Sequence, residues 1–109
     1  MYSTIFVTCS SAKEAKLLAR TLLEERLIAC ANIVPTIDSH YRWKGTIESA
    51  KESLLILKTK RSLFRKVERV ILRNHSYETP EIIALPIVAG SRGYLSWIED
   101  SCAQKKRKK

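Results

Sequence analysis

Glycine, proline and cysteine are scarce, with three of each in 109 residues, and aromatic residues make up 7%. So few glycines leave no glycine-rich phosphate loop, and no nucleophile or metalloprotease signature occurs, so the chain reads as a non-enzyme. Low-complexity segments, linkers and internal repeats are absent too. Cys9, Cys30 and Cys102 are odd in number and form no Cys-x-x-Cys pair, which argues against a disulfide framework or a zinc ribbon and for reduced thiols. No apolar run approaches the ~20 residues needed to cross a bilayer, and Met1-Tyr2-Ser3-Thr4 shows no basic leader. The expectation is a soluble cytoplasmic protein with no membrane partner.

What is present is ordinary globular material, 45% hydrophobic and 28% charged, enough for one domain over residues 1–104. The net charge is +9, but Lys105, Lys106, Arg107, Lys108 and Lys109 supply five of those charges and leave +4 on the preceding residues. Such a block repels itself and has nothing to bury, so 105–109 is expected to be a disordered basic tail that meets nucleic acid only non-specifically.

The pattern between Ala29 and Thr59 organises the rest. Ala29, Ala31, Ile33, Pro35, Ile37, Ser39, Tyr41 and Trp43 alternate with Cys30, Asn32, Thr36, Asp38, His40 and Arg42, a period of two that predicts one long strand with a single apolar face. Trp43-Lys44-Gly45 turns it, and the returning strand ends in Leu54-Leu55-Ile56-Leu57, apolar on both faces as an interior strand is. At ~3.3 Å per residue the outgoing strand spans roughly 50 Å, longer than the ~35 Å diameter of a compact globule of this size. A lone ribbon is marginal in water, so Ile37, Tyr41, Trp43 and Ile47 require a surface supplied by another copy of the chain.

Around this hairpin the chain supplies a βαββαβ order. Thr4–Thr8 reads as a short interior strand. Ser11 and Glu14 have capping-box spacing, and Ala15, Leu18, Ala19, Leu22 and Leu23 form the stripe of the helix that follows. Ser62 is expected to cap a second helix with Leu63, Phe64, Val67, Val70 and Ile71 inward, stopping near Asn74, a residue that tolerates the left-handed cap conformation. Glu81–Leu85 reads as a buried strand closed by Pro86, which suggests an edge or a bulge. Residues 91–102 form a short terminal helix carrying Tyr94, Leu95, Trp97 and Ile98. Right-handed crossovers put both main helices on one face of a four-stranded sheet, an α+β ferredoxin-like sandwich whose other face needs partner chains.

The blocks Ala29-Cys30-Ala31-Asn32-Ile33-Val34-Pro35, Tyr41-Arg42-Trp43-Lys44-Gly45, Leu57-Lys58-Thr59, His75 through Ile87 and Tyr94-Leu95-Ser96-Trp97-Ile98 together resemble the CutA family of divalent-cation tolerance proteins. The resemblance implies a ferredoxin-like protomer in a homotrimer, similar to the PII signalling proteins, that responds to metal ions. It also implies copper or another divalent cation as an optional ligand, with no required cofactor. The family's proposed metal positions, a cysteine closing the first strand and a histidine pair before Tyr-x-x-Pro-Glu, fall here on Cys9, Asn74 and His75. Asn74 is a poorer ligand for a soft or borderline metal than an imidazole, so Cys9 and His75 remain as the metal residues. The resemblance further places Trp43, Lys58, His75, Tyr77 and Glu81 near a cleft between subunits.

The residues themselves leave alternatives open. Cys9 closes a buried strand and serves either as a small interior hydrophobe or as a ligand. Either His75, Tyr77, Glu78 and Glu81 form a loop site on a rigid scaffold, or Asn74 and His75 terminate the helix and the Tyr77 ring packs beneath. Lys58, at the end of an apolar run, needs a carboxylate such as Glu81. His40 reads as a solvated surface residue. A PII-like module for a small anion and a purely structural trimeric scaffold stand beside the metal reading.

Overall fold

The computed structural model describes residues 1–102, so the expected tail at 105–109 lies outside the described residues. In chain order the elements are β1 (Tyr2–Cys9), α1 (Ala12–Glu24), β2 (Cys30–Trp43), β3 (Thr46–Lys60), a 3-10 turn (Arg61–Leu63), α2 (Phe64–Asn74), β4 (Ile82–Pro86) and α3 (Arg92–Ser101). The strands form one sheet in the order β2-β3-β1-β4, each pair antiparallel, which is the ferredoxin-like arrangement with a helix appended. Period two along β1 and β3 buries Ser3, Ile5, Val7 and Cys9 beside Ser53, Leu55, Leu57 and Thr59. Ala15, Leu18 and Leu22 of α1 and Val67, Val70 and Ile71 of α2 join the same core. Both main helices therefore cover one face of the sheet, as the two stripes require.

Several local expectations change on contact with tertiary structure. Ser11 Oγ accepts the Glu14 N–H at 3.1 Å as a capping box predicts, but the Glu14 carboxylate reaches past the cap to the Ser10 N–H at 2.8 Å. Leu23 is 43% exposed and falls outside the stripe. The chain leaves α1 through Arg26, at φ 59°, with the Leu27 N–H on the Leu22 carbonyl and the Arg26 N–H on the Leu23 carbonyl. That is a Schellman closure in which buried Leu22 and Leu27 supply the apolar contact. Ser62 does not cap α2, because a 3-10 turn intervenes and no side chain caps the helix. α2 stops at Asn74 as expected, without using the left-handed conformation. Asn74 stays helical and its amide donates to the Val70 carbonyl at 2.8 Å.

The long hairpin gives the molecule extents of 52 × 31 × 22 Å. Its single apolar face does not survive. Val34 pairs with Leu54 but Ile37 with Glu52, so one extra residue is inserted on β2 at Pro35, which has no N–H for the ladder. Beyond this bulge the faces exchange: Ala31 and Ile33 lie over the core with Leu57 and Leu55, whereas Ile37, Ser39, Tyr41 and Trp43 share the helix-free face with Glu52, Ala50, Glu48 and Thr46. Lys44 and Gly45 turn the tip with φ of 50° and 82°, a two-residue turn of the type that matches strand twist. A Cβ at Gly45 would meet nothing within 4 Å, so Gly45→Ala is expected to cost only the left-handed backbone penalty, about 1 kcal/mol in denaturant unfolding.

The helix-free face carries Phe6, Leu54 and Ile56, half-buried, with Val34, Ile83 and Leu85 more exposed. β4 is thus not the buried strand expected of Glu81–Leu85 but an edge strand, as Pro86 suggested. α3 closes one end of the sheet, where Glu99 accepts from the Tyr2 hydroxyl at 2.9 Å and from Lys60 at 3.3 Å, and Ile98 enters the core.

Candidate functional site

Three elements meet at the end of β1. Cys9 is its last residue, Glu14 sits in the first turn of α1, and His75 follows α2. The thiol, a carboxylate oxygen and a ring nitrogen lie within 4.8 Å of one another. Cys9 and His75 thus come together as the metal reading requires, and Glu14 joins them. The imidazole is fully covered and both its nitrogens are used: Nδ1 accepts the Tyr77 N–H at 3.0 Å, so Nε2 carries the hydrogen and donates to the Thr8 carbonyl at 2.8 Å. Glu14 accepts from the Ser10 N–H and hydroxyl with one oxygen and from the Ser76 N–H, at 2.7 Å, with the other. Burial alone pushes this carboxyl up, but the Ser10 and Ser76 donors outweigh it and hold it below the usual carboxylate range. The Cys9 thiol is pushed up to about 12, by burial first and then by the charges of Glu14 and Glu52.

A cleft of about 590 Å³ opens beside this cluster, between the arm and the loop after α2. Trp43, Tyr77 and Glu81 line it within the single chain, with Ser39, His40, Tyr41, Glu52, Glu78 and Thr79. The Tyr77 hydroxyl donates to Glu52 at 2.7 Å, and burial followed by that bond holds the phenol far above its ordinary range. Its ring tilts against His75 with centroids 4.8 Å apart, which ties the cleft to the cluster. Lys58 stands apart. It lies on the helix-free face opposite Cys30 and donates to Asn32 at 2.7 Å, so an amide oxygen from the neighbouring strand replaces the expected Glu81. Asn74 turns to its own helix and is not in the cluster. All three cysteines are free, Cys30 lying 3.5 Å from the Tyr94 hydroxyl and Cys102 3.7 Å from the Thr59 hydroxyl.

A sequence model described as CutA1 divalent ion tolerance protein matches residues 3–101. The chain belongs to the CutA1 family. The divalent-cation tolerance protein CutA of Thermus thermophilus is 42% identical over 93% of this chain and 98% of its own length. The chloroplastic CutA protein of Arabidopsis thaliana is 44% identical over 89% of this chain but only 53% of its own length, and human CutA is 45% identical over 88% and 54%. The chain therefore spans about half the length of these plant and mammalian relatives. Among solved structures, the periplasmic divalent cation tolerance protein CutA of Archaeoglobus fulgidus superposes with a TM-score of 0.92 at 40% identity, covering 94% of this chain and all of that one. The CutA fold over residues 3–101 therefore includes the cluster and the cleft.

Glu14, Glu52 and His40 also belong to this region, and no sequence pattern marks them as such. Glu14 was readable only as a helix cap, because its second set of partners is 62 residues away at Ser76. Glu52 joins the cleft through the register shift at Pro35, which brings Ile37 opposite it and sets Ser39 and Tyr41 on its face.

Proposed function

We propose that this chain serves divalent-cation tolerance as a non-catalytic cytoplasmic homotrimer that binds copper weakly through Cys9 and His75, with Glu14 as a third donor. The observation that carries the reading is the convergence of thiol, carboxylate and imidazole within 4.8 Å. Such a mixed S, O and N set suits copper better than Mg²⁺ or Ca²⁺. The donors fit a cation in identity but each already has an occupation. Among the described residues no buried side-chain nitrogen or oxygen lacks a hydrogen-bond partner, so none waits for a metal. To bind there, His75 must give up the Tyr77 N–H, Glu14 must share an oxygen, and Cys9 must lose a proton held at about 12. Those costs make the affinity low and make it fall as the medium is acidified.

Copper titration should therefore show binding that weakens by tenfold or more in Cys9→Ser and in His75→Ala. Asn74→His, which puts an imidazole next to His75 in the chain in place of an amide bound to the Val70 carbonyl, should tighten it. Equal affinity in all four proteins would place the metal elsewhere. No helix among the described residues is long and apolar enough to cross a membrane.

A PII-like role in binding a small molecule is the second reading, favoured by the 590 Å³ cleft with its aromatic walls. Among the described residues its lining holds Glu52, Glu78 and Glu81 and no Lys or Arg. In the single chain that lining suits a cationic ligand rather than the anion a PII-like site suggests.

A further inference from the structure

Charge is distributed unevenly over the two helices that cover the sheet. Of twenty basic and eleven acidic residues, five basic ones occupy positions 105–109. The segment 61–74 holds five of the remaining fifteen basic residues and one of the eleven acidic ones, so the rest of the chain balances at ten against ten. All the net charge before the tail therefore sits on α2 and the turn that leads into it. Arg61, Arg65, Arg69 and Arg73 recur every four residues with Lys66 between them, and all five are exposed. The core takes the opposite side of the helix through Leu63, Val67, Val70 and Ile71.

A merely solvated face gives no reason for this pattern. Like charges four residues apart destabilise a helix, and a helix surface adjusted for stability mixes signs. α1 does so: Lys13, Lys16 and Arg20 are balanced by Glu14, Glu24 and Glu25, and Arg20 pairs with Glu24. On α2 only Arg65 has a carboxylate, Glu68, at 2.8 Å; among the described residues the side chains of Arg61, Lys66, Arg69 and Arg73 make no ion pair. The ladder from Arg61 to Arg73 is about 18 Å long at 1.5 Å per residue, enough to set several guanidinium groups against successive phosphates of one duplex strand. Guanidinium forks are suited to phosphate oxygens.

We propose that the outer face of α2 binds the phosphate backbone of nucleic acid, without reading sequence. A lipid surface fits less well, because the apolar side of α2 is spent on the core and only Leu72 among its large apolar residues is well exposed. The face also lies opposite the helix-free side of the sheet, so self-association through that side leaves it open.

The test uses the full-length chain with glutamine at positions 105 to 109, so that the tail contributes no charge, and a fluorescent DNA duplex followed by anisotropy across a salt series. Duplex binding should persist in this background. Arg65→Gln, Arg69→Gln and Arg73→Gln together should weaken it at least tenfold and lower the salt slope by about 2–3, since each phosphate contact adds ~0.9. The matched triple Lys13→Gln, Lys16→Gln and Arg20→Gln on α1 removes the same charge and should leave the slope within about one contact of the background. The proposal is overturned if the neutral tail alone abolishes binding or if both triples act equally. It is also overturned if the protein sediments with phosphatidylglycerol vesicles while ignoring the duplex.

Discussion

Sedimentation equilibrium at micromolar concentration is expected to return three times the 12.5 kDa chain mass, and Ile83→Glu is expected to reduce it to one. Ile83 is neither buried nor free in the single chain. It is 48% exposed on edge strand β4, beside Phe6 on the helix-free face. A carboxylate there should be nearly neutral for an isolated protomer, as surface substitutions usually are, within about 0.5 kcal/mol. If trimer formation covers that face, the same carboxylate is buried without a partner and costs several kcal/mol. Tyr41, Trp43 and Ile47, respectively 43%, 53% and 71% exposed on the arm, point the same way. Covering the exposed half of Trp43 contributes about 2–3 kcal/mol at ~25 cal/mol per Å². Thermal unfolding of the wild type should accordingly shift upward with concentration, since binding between folded chains stabilises them by mass action. A wild type of single-chain mass, or an Ile83→Glu protein that keeps three, overturns the trimer.

The fold was legible wherever a period persisted. The stripe Ala15, Leu18, Leu22 and the alternation Ile5, Val7, Cys9 against Leu55 and Leu57 are local rules, and the core follows them. The arm was legible as a length that no compact globule of this size contains. What failed were the places where one residue changes the rule. Period two has no memory of an insertion, so the bulge at Pro35 moves Tyr41 and Trp43 to the face opposite that of Ala31 and Ile33. The position of Ser62 resembled a helix start, yet three residues of 3-10 turn separate Lys60 from α2. In the candidate site, Cys9 and His75 were available through family resemblance, while the hydrogen bonds that occupy them were not. Those bonds join residues up to 67 positions apart, and spacing carries no information about them.

Glu14→Gln is expected to cost about 2–4 kcal/mol near neutral pH, far beyond the value of an ordinary helix cap. The carboxylate bridges Ser10 at the end of β1 to Ser76 in the loop after α2, accepting two backbone N–H groups and the Ser10 hydroxyl. Bonds to a charged acceptor are roughly twice as strong as neutral ones. An amide of the same shape keeps one good acceptor and presents an NH₂ to groups that are themselves donors. The 75–77 loop should then loosen, and with it the His75 bonds to Thr8 and to the Tyr77 N–H. The pH dependence separates this bridge from a packing effect. Because the folded carboxyl lies below its ordinary value of ~4.3, its contribution is present in full above that value. It is lost as pH falls through the lower folded value. Urea unfolding across pH should therefore show a constant gap between wild type and Glu14→Gln above about pH 5, narrowing on acidification as the wild-type carboxyl takes up its proton. A gap below about 0.5 kcal/mol, or one that stays constant to low pH, would mean that Ser10 and Ser76 are held by other forces.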